Sequence, residues 1–272
     1  MKVVSFVFWG NNPLYLEGAV ANAFLTTKHL PGWEFRLYCV ADLPKDTATR
    51  LVDLNAKIIK VERHFLKDIN IQKSYMASLY RFFPLQDPEI ECFLSRDLDS
   101  RISMKDRVVS DQFIGSEKTL GIYVTAKRNN YISAGTFACR GGIIDSLKAE
   151  VLKACGPTPG DYSWGVDQRF LQRFFASFVQ NRDYICIADR GVTESRYELT
   201  PISDDRMEGE IGEYRTDLTY SSNNRIPGIL PKPYWHEFVA RGEERQKILH
   251  DVFQCDCKRC REIRALIAPM DS

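Results

Sequence analysis

The stretch IECFLSRDLDSRIS, residues 90–103, decides how the chain is read. Residues 90–94 are apolar apart from Glu91, the pattern of a buried strand. The run stops at a polar knot in which Asp97 and Asp99 are separated by one residue. On extended backbone, positions i and i+2 project to the same side. Two carboxylates then converge just beyond the carboxyl end of a central strand, where open α/β sheets bind ligands. Like charges held so close repel unless a cation or a shared proton intervenes. The simplest resident is a hard divalent ion with oxygen ligands, Mg²⁺ or Mn²⁺, of the kind bound together with a phosphate-bearing substrate. An Asp-x-Asp pair also occurs in solvated turns. The strand before it, and SYMASLYRFFPLQDPEI (residues 74–90) ahead of that, favour the site.

The rest of the chain is consistent with one large domain, over residues 1–240, followed by a helical, cysteine-containing extension over residues 241–272. The 272 residues are 44% hydrophobic and 27% charged, and the net charge is +1. No global field therefore argues for nucleic acid or an anionic membrane. The opening MKVVSFVFWGNN is too short an apolar run for a secretion signal, and no segment approaches the ~18 apolar residues of a membrane span. A cytoplasmic protein is expected. Cys39, Cys92, Cys139 and Cys186 lie in strand-like runs and read as small core residues, not as a disulfide framework.

Taken in order, residues 3–9 form a first strand ending in Gly10-Asn11-Asn12-Pro13. That turn, with Phe8 and Gly10, is a place for a nucleotide base or ribose, or else a plain strand-to-helix turn. Helical spacing covers residues 15–29, a second strand residues 33–41, a short helix residues 44–55 and a third strand residues 57–61. This β-α-β-α-β order predicts an α/β fold with a mostly parallel sheet covered on both faces. Residues 74–83 read as a helix with Ser74 as N-cap, Pro84 after its end and Arg81 in its last turn. An arginine there serves the helix dipole or reaches a substrate phosphate with its planar fork. A helix over residues 103–113 and a strand over residues 120–125 follow.

The order SLYRFFPL…ECFLSRDLDSRI resembles the helix, strand and metal motif of nucleotide-sugar glycosyltransferases of the GT-A fold. It looks most like the small soluble glycosyltransferases of large algal DNA viruses, and more distantly like the glycogenin and bacterial galactosyltransferase group. The resemblance implies that Asp97 and Asp99 hold Mn²⁺ or Mg²⁺ against a donor diphosphate and that Arg81 and Ser95 help to hold the donor. It implies a UDP-sugar such as UDP-glucose, UDP-xylose or UDP-rhamnose, a glycan or glycoprotein acceptor (a capsid glycan if the protein is viral), and a location in the host cytoplasm in that case.

Further segments carry the resemblance more weakly. YISAGTFACR, residues 131–140, is broken by Gly135, which marks a strand bulge or lets a sugar approach the backbone. WGVDQRFL, residues 164–171, looks like an aspartate-glutamine motif beside the transferred sugar. Asp167 would cap the helix or act as general base, with Asp161 as the alternative base. PKPYWHEF, residues 231–238, resembles a metal-binding region, which implies His236 as a third ligand. Residues 184–188 read as a short strand and residues 189–231 as loops. Cys255, Cys257 and Cys260 could bind zinc with a fourth ligand such as His250, but a second paired cluster is missing and they read first as free thiols, with no metal assigned.

The resemblance implies metal-dependent sugar transfer, inverting if Asp167 takes the acceptor's proton. A phosphohydrolase would carry its D-x-D after the first strand. A nucleotidyltransferase would carry a Gly-rich basic loop where FWGNNPLY stands. A non-catalytic nucleotide-sugar or glycan-binding protein of the same fold, or a retaining transferase, stays open.

Overall fold

The computed structural model describes residues 1–10, 13–61, 75–125, 130–155 and 165–204. The expected helical extension over residues 241–272 lies outside these residues. Eight strands form one sheet: β1 (Lys2–Phe8), β2 (Trp33–Cys39), β3 (Lys57–Lys60), β4 (Cys92–Ser95), β5 (Leu120–Val124), β6 (Phe137–Arg140), β7 (Tyr184–Ala188) and β8 (Leu199–Pro201). Their spatial order is β3-β2-β1-β4-β6-β5-β7-β8. All pairings are parallel except those of β6, which runs antiparallel to both β4 and β5. The mixed, mostly parallel α/β sheet matches the expectation from the strand-helix alternation. Two details depart from it. The second half of the 131–140 run is the reversed strand β6, and β8 lies in a stretch read as loops.

Helices cover both faces. The strands alternate between two cores, as a period of two requires when neither face meets water. On β1, Val3 and Val7 join one core and Val4, Phe6 and Phe8 the other. The first core packs against α4 (Leu147–Cys155), α5 (Val166–Phe174) and a 3₁₀ helix, Tyr75–Gln86. The second packs against α1 (Pro13–His29), α2 (Lys45–Asp53) and α3 (Met104–Gly115). α6 (Ala176–Gln180) follows α5. The expected core cysteines are buried, together with Cys155. Burial pushes the Cys39 and Cys186 thiols up to about 12, so both are unreactive neutral side chains.

The 3₁₀ helix corrects the reading of residues 74–83. It runs through Pro84 to Gln86 instead of stopping before the proline. Its last carbonyls find partners outside the helix. Gly142 N–H donates to Pro84 O at 3.2 Å, and Ile143 N–H to Leu85 O at 2.8 Å. This strap satisfies the end of a helix too tight to satisfy itself. The start of α3 agrees with its sequence: Ser103 and Asp106 form a capping box. Among the described residues no helix is long and apolar enough to cross a membrane.

The register creates a notch. β4 pairs with β1 only as far as Ser95 opposite Ser5, whereas β1 continues to Phe8 on its other side against β2. Beyond Ser95 the chain leaves the sheet, and the edge of β1 at Val7 is left facing a cleft.

Candidate active site

Val7, Trp9, Tyr15, Arg81, Arg96, Asp97, Leu98 and Asp99 line the cleft. It sits at the carboxyl end of β4, and both aspartates of the motif reach it. Asp97 has a side chain 40% exposed, and Asp99 is half-buried. The Asp99 carboxyl is pushed up to about 7, first by burial and then by the charge of Asp97. Two carboxylates that disfavour each other's charge are suited to a hard divalent cation, which needs few protein ligands when phosphate oxygens and water complete its shell. Among the described residues no group of three or more His, Cys, Asp or Glu converges. His236, the expected third ligand, lies outside them, as do Asp161 and Cys255, Cys257 and Cys260.

Arg81 is the hub of the site. It is 5% exposed, and Nε donates to Ser78 O at 3.1 Å. Nη1 donates to Asp97 Oδ1, and Nη2 to Asp167 Oδ2 at 2.5 Å. Burial pulls the guanidinium pKa down, but the charges of Asp97 and then Asp167 outweigh it and raise it. The cation expected to meet a phosphate is thus already matched by two carboxylates.

Asp167 is not the helix cap. Gly165 takes that position, and Asp167 lies in the first turn of α5. Its Oδ1 accepts the Gln168 N–H at 2.9 Å while Oδ2 meets Arg81. Gln168 holds the segment before β6: its Oε1 accepts Ala134 N–H at 2.7 Å and its Nε2 donates to Ile132 O at 3.4 Å. From the other side Ser95 Oγ donates to Ala134 O at 2.6 Å. Gly135 follows directly, and a Cβ there would overlap the Asp97 carboxylate. Its missing side chain makes room for Asp97.

Two of the expected donor-binding residues sit elsewhere. Phe8 is 1% exposed in the core against α1. Ser95 is fully buried, with its hydroxyl on Ala134. The strand alternation puts Val7 and Trp9 at the cleft in place of Phe8. Gly10, next after Trp9, is exposed with φ at 83°.

Trp9, Tyr15 and Arg96 were not singled out from the sequence. The Trp9 and Tyr15 rings stack with centroids 6.4 Å apart. Arg96 is 2% exposed, with Nε on Asp106 Oδ1 at 2.8 Å and Nη1 on Ser95 O and Phe137 O. The available signal was the aromatic pair flanking the Gly-Asn turn.

No protein-family model and no curated protein matches the chain. Among solved structures it is similar to the galactosyltransferase LgtC, in complex with donor and acceptor sugar analogues. That similarity is 16% identity over 64% of this chain and 70% of the other, with a TM-score of 0.45. It is also similar to glucosyl-3-phosphoglycerate synthase from Mycobacterium tuberculosis, in complex with Mn²⁺ and UDP-glucose. There the identity is 13% over 69% of this chain and 68% of the other, with a TM-score of 0.42.

Proposed function

We propose that the chain is a metal-dependent glycosyltransferase. It moves a sugar from a UDP-sugar to a hydroxyl of a glycan or glycoprotein. The observation that carries this reading is the meeting of Asp97 and Asp99 in one cleft at the end of β4, with Arg81 bridging Asp97 to Asp167. Asp97 and Asp99 would hold Mn²⁺ or Mg²⁺. Bound there, the ion supplies Lewis-acid stabilisation of the negative charge that grows on the departing diphosphate.

The chain's own residues supply the remainder. Arg81 fixes the Asp97 side chain and adds a buried positive charge beside the site of leaving-group departure. Trp9 and Tyr15 offer an aromatic wall suited to a nucleobase. Gln168 and Ser95 hold the 132–135 backbone, and with it the position of Gly135 against Asp97.

An inverting course needs a carboxylate to take the acceptor's proton. Asp167 is fixed on Arg81 and on the Gln168 N–H, one hydrogen bond to each oxygen, so it could act as base only through the lone pairs left over. That engagement favours a second reading, transfer with retention, in which Asp167 serves as an anchor. The anomeric configuration of the product, read by NMR, separates the two.

The class itself is tested by melting the protein with a panel of nucleotide sugars, each with and without Mn²⁺. A ligand that binds only the folded state raises the melting temperature. Stabilisation requiring both metal and one UDP-sugar, lost in Asp99→Ala, is expected. No shift with any nucleotide sugar in the presence of metal would remove the reading.

A further inference from the structure

The loop that carries Asp97 and Asp99 lies outside the sheet, so no strand ladder holds it. It is held by α1 instead. Asn22 is fully buried on that helix. Its Nδ2 donates to Ser100 O at 3.0 Å and, at the limit of hydrogen bonding, to Leu98 O at 3.5 Å. Its Oδ1 accepts the Ile102 N–H at 3.0 Å. One carboxamide therefore binds three peptide groups spread over five residues.

Gly18, one turn earlier on the same face of α1, completes the seat. A Cβ there would overlap the Leu98 carbonyl oxygen. The loop can settle onto the helix only because position 18 has no side chain. Further bonds tighten it from within: Ser100 Oγ donates to Asp97 O at 2.7 Å, and Arg101 Nη1 donates to Ser100 O at 2.6 Å and to Leu98 O at 2.9 Å. The carbonyls of Leu98 and Ser100 are thus directed to α1, while Asp97 and Asp99 line the cleft.

We propose that Asn22 is a positioning residue for the metal: by fixing the peptide planes at Leu98, Ser100 and Ile102 it sets the Asp99 carboxylate beside Asp97 at a spacing that suits one divalent ion. This rests on the reading of the two aspartates as metal ligands. A carboxamide outside the coordination shell acts through the geometry of the ligands, and loss of such support costs about 10–100-fold in metal affinity.

The test is direct Mn²⁺ binding, read from the loss of the free-ion EPR signal well below the melting temperature. It compares the natural chain, Asp99→Asn, Asn22→Ser and the isosteric Asn22→Asp, which keeps the acceptor for Ile102. Circular dichroism and melting report whether each variant is folded. The expected result is binding by the natural chain, its loss in Asp99→Asn, and an Mn²⁺ midpoint at least about tenfold higher in a folded Asn22 variant. An unchanged midpoint in a folded Asn22 variant overturns the proposal and leaves the aspartate site standing. Absence of Mn²⁺ binding by the natural chain, with and without UDP, removes the aspartate site and this proposal with it. If both Asn22 variants unfold, Asn22 is a residue of the general core and the proposal also falls.

Discussion

Arg81 and Asp167 meet in a 2.5 Å ion pair across 86 positions of sequence, and the same guanidinium holds Asp97. The pair ties the 3₁₀ helix to α5, and Phe82 stacks on Phe170 between the same two elements with ring centroids 5.8 Å apart. A planar fork can satisfy two carboxylates at once, whereas an ammonium is a point charge. Arg81→Lys should therefore keep the fold and lower sugar transfer by about 10²-fold, the scale expected when a reacting group is misplaced by about 1 Å. Adding Asp167→Asn should cost much less on that background than in the natural chain, because the two residues act as one unit. Full additivity in steady-state assays would contradict the coupling.

Gly135 is bounded by the Asp97 carboxylate. In Gly135→Ala either the methyl group or the carboxylate must move. The variant should melt within a few degrees of the natural chain, yet need about tenfold more Mn²⁺ or more for half-maximal turnover. An unaltered Mn²⁺ requirement would show that Asp97 has freedom to shift.

The pH dependence follows from Asp99. Its carboxyl titrates near 7 in the folded, metal-free protein and near 4 when unfolded. Between those values the folded state binds the extra proton. The contribution of this group to stability is thus fully present below about pH 4 and is lost as pH rises through about 7. Melting curves from pH 5 to 8 should show this decline in the natural chain and not in Asp99→Asn. Mn²⁺ takes the place of the proton, so its stabilising effect should grow over the same window. A stabilisation by Mn²⁺ that is larger at pH 5 than at pH 7 would contradict the assignment.

Arg96 and Asp106 form a buried pair whose side chains are 2% and 1% exposed. Removing one partner leaves a buried charge unmatched, which costs about 3–5 kcal/mol. Asp106→Ala also removes half of the α3 capping box, from which Asp106 Oδ2 accepts the Ser103 N–H at 2.8 Å. Chemical denaturation should show a loss of about this size, against less than about 1 kcal/mol for the exposed pair partner in Asp42→Ala.

The sequence by itself determined the alternation of strands and helices, the buried strand leading into Asp97-Leu98-Asp99, and the helix that follows from about residue 103. These are local properties: hydrophobic period, turn residues and capping chemistry act within a few positions of one another. It also marked Arg81, Gly135 and Asp167 as residues of one site, through a resemblance carried by short motifs. Only the tertiary structure decided what those residues touch. Period-two patterning tells which face of a strand is buried when the other face meets water. β1 is buried on both, so its pattern does not tell Phe8 from Trp9; packing against α1 buries Phe8, and the cleft opens at Val7 and Trp9. The reversal of β6, the 3₁₀ form of residues 75–86 and the capture of Arg81 by Asp167 share a cause. Each is settled by partners far away in sequence, the strands β4 and β5, the strap at Gly142 and Ile143, and the first turn of α5. Hydrogen bonds and ion pairs of that kind exist only once the two cores have brought their elements together.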